Sequence, residues 1–406
     1  MGRKIVLSIL FSCSFLRLFA QYGCTDPQAD NFDASAITND GSCNYPVTNQ
    51  PPVLIQNLTT TLLENSGMIY WNQHLWMVND GGSSPSLYML DQSGSVLDTF
   101  FITNATNVDW EALTQSSTHF YIGDFGNNAG NRSNLCIYEL NKSDLLSGNN
   151  QILAQKRTFK YGDQIGYSYP TNGHPFDCES FYFENDSLVL LSKAWNNFYS
   201  KRYRFKSDWN DTLSVFPQDS MFVDGLLTDV TLDPVSKRVI ALGYKNNGSN
   251  FYTSFVYLLF DYPGTAIFNG NKRRIELGNM FSLSQTEGIT LKDSVSGFVS
   301  AEQITSVITI PPKLFSVDFS SFLSGDLATN ELMIEPKLTI YPNPTARVIN
   351  VPSEWIGKKV SIHTVLGQFF GEIEVDSSML LDLNYLQIGE YYLSVEGKHY
   401  RFTLAF

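Results

Sequence analysis

Across residues 53–323 the apolar positions come in short bursts, not at helical spacing. Runs rich in Val, Ile, Phe and Tyr are separated by Asn, Asp, Gly and Ser, which predicts many short strands joined by turns. From Leu338 onward apolar and polar residues alternate in runs broken by Asn, Pro and Gly, as in Val360-Ser361-Ile362-His363 and Tyr391-Tyr392-Leu393-Ser394-Val395. That pattern predicts a small all-β sandwich of about seventy residues.

The central bursts repeat. A polar anchor, a short strand, a turn and a second strand recur at Ser66, Glu111, Glu179, Thr228 and Glu287. The second strands end at Asp80, Asp124, Lys193, Tyr244 and Glu302. The anchors stand 45, 68, 49 and 59 residues apart, which suits four-stranded blades with unequal loops. The expected fold class is all-β: a five- or six-bladed β-propeller followed by a small C-terminal β-sandwich. An irregular β-sandwich is the competing fold for the central segment.

Inner strands of a propeller surround a channel, so the anchors would form a ring and the second-strand ends another layer. Both layers are mostly acidic. Carboxylates that close raise their own pKa values unless a cation or Lys193 compensates. All-oxygen donors favour Ca²⁺ over zinc, so Ca²⁺ is the expected cofactor. The other reading of these acids is that they cap loops and bind backbone amides.

The chain ends narrow the picture. Arg3 and Lys4, a mostly apolar stretch over residues 5–16 and the small Ala20 before Gln21 have the form of a secretory signal peptide. No later stretch reaches the ~18 apolar residues of a membrane span. The 406 residues hold 40 acids and 27 bases, a net charge of −13. Without Arg3, Lys4 and Arg17 there remain 24 bases. So acidic a chain lacks the basic footprint of a nucleic-acid binder. Composition breaks at 46–52 and 320–336 give four segments: signal peptide 1–20, a Cys-bracketed Asp-rich module 21–46, propeller 53–323 and C-terminal domain 337–406.

Export makes Cys24 and Cys43, nineteen residues apart, a predicted disulfide, whereas Cys136 and Cys178 lie in different blades and read as buried thiols. Between the first pair stand Asp26, Asp30, Asn31, Asp33, Asn39 and Asp40, the oxygen donors a hard cation takes. A segment this short cannot bury a core, so a staple and an ion would order it. An Asp-rich turn with a disulfide and no ion is the alternative.

Three resemblances add to these readings. Gly23-Cys24-Thr25-Asp26-Pro27 through Asp40-Gly41-Ser42-Cys43 resembles a short module of exported Bacteroidota proteins, similar to thrombospondin type 3 calcium repeats. It departs at Phe32 and Asn39, where that family has Tyr and Asp. Tyr341-Pro342-Asn343-Pro344 and the strands after it resemble the C-terminal sorting domain of the type IX secretion system. That implies export across the outer membrane by the type IX machinery, engaged through residues 337–406, and removal of this domain on exit. The final Thr403-Leu404-Ala405-Phe406 departs from the basic tail common in that family. In the centre, Asn79-Asp80-Gly81-Gly82, Asp109-Trp110-Glu111, Gly123-Asp124-Phe125-Gly126-Asn127 with Arg132, and Thr286-Glu287-Gly288 resemble SdiA-regulated and esterase-like phytase propellers. By position that likeness points to Asp80, Asp109, Glu111, Asp124, Asn127, Arg132, Glu179 and Glu287. Lys193 and Glu302 join them from the second layer.

Other chemistry is sparse. The chain has no Gly-x-Ser-x-Gly elbow, no His-Glu-x-x-His and no phosphate loop. His74 and His119 fall at hairpin tips and read as exposed, and His174 reads as a loop residue within reach of the channel. Two functions stay open. One is a secreted, calcium-stabilised propeller that binds a ligand or surface, with Trp71, Trp195, Phe198 and Tyr199 as contact aromatics. The other is a calcium-dependent phosphoester hydrolase, with Lys193 or Arg132 meeting the substrate and metal-bound water as nucleophile.

Overall fold

A computed structural model of the chain describes residues 21–248, 251–305, 309–323, 340, 342–364, 369–395 and 398–405. The predicted signal peptide and residues 324–336 of the 320–336 linker lie outside the described residues. Two compact units divide the chain, one up to residue 327 and one from 328.

In the first unit the inner strands are Asn65–Trp71, Trp110–Gln115, Asp177–Glu184, Leu226–Asp233 and Gln285–Leu291. Each neighbours the next, and the last returns to the first, so five blades close a ring. Within each blade the strands run antiparallel from the channel outward. The fifth blade takes its outermost strand from the start of the chain: Val53–Asn57 pairs with Lys313–Asp318, Leu314 opposite Gln56. Hydrogen bonds thus tie the two ends of the propeller sequence together. Short parallel strands lie on the outer edges of three other blades: Gln151–Ile152 on the first, Leu213–Val215 on the second and Thr48–Asn49 on the fourth. They satisfy edge groups that would otherwise template pairing with another chain.

The core lies between blades. Trp76, Trp110, Phe120 and Tyr138 fill the gap from first to second blade, and Phe125, Phe159, Phe181 and Tyr203 the gap from second to third. A second strand is therefore covered on both faces. In Ser187–Lys193 every residue is buried, which is why Leu188-Val189-Leu190-Leu191 shows no alternation.

The Cys24–Cys43 disulfide is formed. Its module packs on the fourth blade: the Tyr45 and Phe260 rings lie 6.4 Å apart, and Arg273 donates to Gln28 Oε1 at 2.6 Å. Cys136 and Cys178 are free and buried, and burial pushes both thiols up to about 12.

The second unit has a two-stranded sheet, Val348–Asn350 with Leu380–Asp382, and a four-stranded sheet of Phe369–Glu374, Lys359–Thr364, Gly389–Val395 and Lys398–Leu404. Residues of both sheets, among them Ile349, Val360, Leu381, Leu393 and Phe402, share one core. This is the expected small sandwich.

Candidate functional site

All five anchors fall at β-bulges. In the second blade Ala112 pairs with Gly123 and Trp110 with Asp124, skipping Glu111. In the third, Cys178 pairs with Ser192 and Ser180 with Leu191, skipping Glu179. The fourth skips Thr228 and the fifth Glu287, and in the first the register breaks between Asn65 and Met68, around Ser66. An extra residue bends the strand and re-aims a side chain, here at the channel end of each inner strand.

Hydroxyl and carboxylate anchors then part company. Ser66 Oγ donates to the Glu111 carbonyl, and Thr228 Oγ1 to the Thr286 carbonyl at 2.9 Å. Each locks the bulge of a neighbouring blade. Glu111, Glu179 and Glu287 present carboxylates to a cavity of about 310 Å³ at this end of the channel, which Ser66 also lines. Asp80, Lys193, Tyr244 and Glu302 from the second layer line it too. Of the ten predicted cavity residues, six line it: Asp80, Glu111, Glu179, Lys193, Glu287 and Glu302.

Asp109 stands beside them. Among the described residues, Asp80, Asp109 and Glu111 form the one trio of potential metal ligands, each with a carboxylate oxygen within 4.8 Å of the others. Two glycines make room for it. A Cβ on Gly126 would sit 2.3 Å from Glu111 Oε1 and 2.6 Å from Asp109 Oδ2, and one on Gly81 2.5 Å from Asp109 Oδ1. Asp80 accepts from the Gly81 amide, whereas no described residue donates a hydrogen bond to the Glu111 carboxylate, although Glu111 is only 4% exposed.

The electrostatics follow from this crowding. Burial pushes Glu111 well above the carboxylate range, and Glu179, Asp80 and Asp109 add to it. Burial and the Asp80 charge push Asp109 up to about 7. Burial raises Asp80 as well, against the Gly81 amide and Lys193. Burial lifts Glu287 to about 7, against the pull of Lys193 and Gln285, and lifts Glu302 to about 10 with help from Glu287 and Glu64. Lys193 is the cation of the cavity lining, and it is ion-paired with Glu179. Burial works against its charge, but Glu179, Tyr244, Glu287 and Asp177 together outweigh burial and hold it protonated.

Three predicted residues lie behind the cavity wall. Asp124 was expected in the second acidic layer, but it is 1% exposed and outside the lining. Its Oδ1 accepts from the Asp109 amide at 3.1 Å and from Arg132 Nη2 at 2.7 Å. Arg132 also donates to the Gly126 carbonyl at 2.8 Å. Asn127 donates to the Phe176 carbonyl and accepts from the Arg132 amide, each at 2.9 Å. All three fix the loop on which Gly126 sits. The pattern exposed their polarity but not their direction.

Sequence reasoning missed Asp177. It accepts from the Asn127 amide at 2.7 Å and from Trp195 Nε1 at 2.7 Å, and so orients the Trp195 ring at the cavity. Thr171 and Asn172, in the long stretch between the second and third blades, line the cavity as well. The 68-residue anchor gap was the available signal for that stretch. His174, read as a loop residue within reach of the channel, is fully buried and outside the cavity lining: Nδ1 accepts from the Phe176 amide and Nε2 donates to the Asn128 carbonyl, both at 3.1 Å. Trp71 is no contact platform either, because its ring packs on Trp76 and Phe120. Phe198 and Tyr199 are exposed.

The N-terminal acids are not drawn to one point. Asp26 accepts from the Gln28 amide and the Tyr45 hydroxyl, Asp33 from the Ser35 amide and Asp40 from the Ser42 amide. Asp30 and Asn31 are exposed, and Asn31 bridges the Ser42 carbonyl and the Asn44 amide. Asn39 donates to Asn271 Oδ1 at 2.9 Å.

Residues 339–404 match the secretion system C-terminal sorting domain family. The chain carries a type IX sorting domain and is exported to the cell surface or released. No helix among the described residues is long and apolar enough to cross a membrane. No curated protein matches the chain. Among solved structures, it is similar to a PQQ-bound aldose sugar dehydrogenase from Streptomyces coelicolor at 8% identity, with 67% of this chain and 99% of that one covered and a TM-score of 0.42. It is similar to a glucose dehydrogenase at 9% identity, covering 64% and 98%, with a TM-score of 0.36. A putative 6-phosphogluconolactonase from Bacteroides uniformis is similar at 11% identity, covering 62% and 85%, with a TM-score of 0.28.

Proposed function

We propose that this exported propeller is a cation-dependent binding module whose channel mouth holds one divalent ion on Asp80, Asp109 and Glu111. The observation that carries the reading is the Glu111 side chain, 4% exposed and without a hydrogen-bond donor among the described residues, beside two further carboxylates. Burying carboxylates together is costly unless a positive charge compensates. Lys193 supplies one charge on the far side, where Glu179 takes it up. A hard cation with oxygen ligands fits the remaining trio, and Ca²⁺ tolerates the irregular geometry of such a site better than Mg²⁺. The cavity is the better candidate than the N-terminal module, whose Asp26, Asp33 and Asp40 carboxylates already accept backbone amides.

The cavity supports a phosphoester hydrolase less well. Both cations assigned to the substrate are tied to carboxylates, Lys193 to Glu179 and Arg132 to Asp124. The lining acids would repel a phosphate.

Ca²⁺ titration of the chelator-stripped protein by calorimetry tests the proposal. Uptake of Ca²⁺ with at least tenfold weaker binding in Asp109→Asn and Glu111→Gln supports it. No uptake, or uptake unchanged in both variants, refutes it.

A further inference from the structure

We infer that the ligand of this channel mouth is a small neutral polyol, a sugar ring or cyclitol, seated against the bound cation. The inference deepens the cation-binding reading and rests on it. Every side chain that lines the cavity carries a hydrogen-bonding group. No aliphatic side chain is among them, so the lining offers an apolar ligand nothing but the ring faces of Trp195, Tyr244 and Tyr252. At about 310 Å³ the cavity lies at the lower end of the ~300–1,000 Å³ range of small-molecule sites. It holds one ring, not a chain of them.

Charge selects among polar ligands of that size. With Asp80 and Glu111 on the cation and Glu179 on Lys193, an anion would still face Glu287 and Glu302. An organic cation fares no better, because the place built for one is filled. The Lys193 ammonium lies 5.0 Å from the Trp195 ring centroid and 5.1 Å from that of Tyr244, and it is bonded to Glu179. Carboxylate and two aromatic faces already hold an ammonium, and a second would meet like charge. A neutral polyol meets neither barrier. Its hydroxyls donate to carboxylates and accept from Asn172, Gln285 and Thr171, and adjacent hydroxyls replace water on a hard cation. Glu111, a lining side chain more than nine-tenths buried that no described residue hydrogen-bonds, places the cation at the cavity wall, where such a ligand would reach it.

The test keeps the ring constant and varies its charge. The full protein is titrated first with Ca²⁺ alone. The Ca²⁺-loaded protein is then titrated with D-glucose, D-galactose, D-mannose and myo-inositol, and with glucosamine and glucuronate as charged counterparts. At least one neutral ring is expected to bind, with both charged rings at least tenfold weaker. Ca²⁺ uptake with a charged ring bound as well as any neutral one, or with no neutral ring bound, overturns this inference and leaves the cation site standing. Absence of Ca²⁺ uptake overturns the cation site itself. Lys193→Ala and Lys193→Met, a larger and a smaller perturbation of packing, remove the resident ammonium. Whichever folds is expected to bind glucosamine at least tenfold more tightly than the parent does, and an unchanged glucosamine affinity counts against the inference.

Discussion

Lys193 and Glu179 form an ion pair within one blade, the acid on the bulge of the inner strand and the base at the end of the next strand. Both are more than nine-tenths buried. The pair neutralises one side of a cavity that is otherwise acidic, and it fixes which acids remain for a cation. Breaking such a pair leaves one charge buried without a partner, at a cost of about 3–5 kcal/mol. Glu179→Gln and Lys193→Met are each expected to lower the propeller's stability by that order in urea denaturation. The double variant is expected to recover part of the loss. Single variants that each cost under about 1 kcal/mol would show that water, not the partner, solvates these groups.

Gly126 touches no ion in the proposed site, yet its missing side chain shapes it. A methyl group there would collide with Glu111 Oε1 and Asp109 Oδ2, both ends of flexible side chains. Those carboxylates would swing away at small cost to folding. Gly126→Ala is therefore expected to weaken Ca²⁺ binding at least tenfold while changing ion-free stability by no more than about 1 kcal/mol. Calorimetry and urea denaturation on the same preparation separate the two effects. An unchanged Ca²⁺ affinity would place the ion elsewhere.

The anchors were legible because each begins a repeated pattern of strand, turn and strand. The pattern could not show that each anchor is a bulge residue, since a bulge is a property of pairing between strands. It also treated all five alike. Ser66 and Thr228 turned to carbonyls of the adjacent blade because a hydroxyl donates to a backbone oxygen and a carboxylate does not. The acid at position 124 was misjudged for a related reason. Arg132, eight residues on, returns to pair with it and takes it out of the cavity. The blade count was settled when Val53–Asn57 joined the fifth sheet rather than a sixth. His174 was misread because its loop folds under Asn128, a long-range contact with no local signature.

Asp229 gives a pH test away from the proposed ion. It is fully buried next to the bulge of the fourth blade, and it accepts from the Val230 and Ile289 amides at 2.8 Å each. Burial nevertheless raises its carboxyl well above the usual range, against those amides. A carboxyl raised in the folded state binds its proton more tightly there than in the unfolded chain. Its ionisation thus costs stability above the folded pKa, and that cost disappears as pH falls toward the unfolded value near 3.9. Asp229→Asn removes the dependence. Relative to the parent, the variant is expected to be more stable at pH 8 than at pH 5, each unit of raised pKa being worth about 1.4 kcal/mol. A stability difference that does not vary between pH 5 and pH 8 would mean that the two amides hold the carboxylate ionised throughout.

The N-terminal module offers the last prediction. Asn39 donates from one amide group to Asn271 Oδ1 at 2.9 Å and to the Asp261 carbonyl at 3.0 Å, and its own oxygen accepts from the Gly41 amide at 3.0 Å. An aspartate here would keep the turn but bring a carboxylate against two acceptor oxygens. Asn39→Asp is therefore expected to loosen the module from the fourth blade by about 1 kcal/mol or more. Cys24→Ser with Cys43→Ser, which opens a loop of 19 residues, is expected to cost the module about 3 kcal/mol. Hydrogen exchange reads both. Faster exchange is expected over residues 22–49, including Thr48–Asn49 on the blade edge, while Val53–Asn57 stays protected because it is paired in the fifth blade. If Val53–Asn57 loses protection in step with the module, the module helps to close the ring, and the closing strand is not held by its own blade alone.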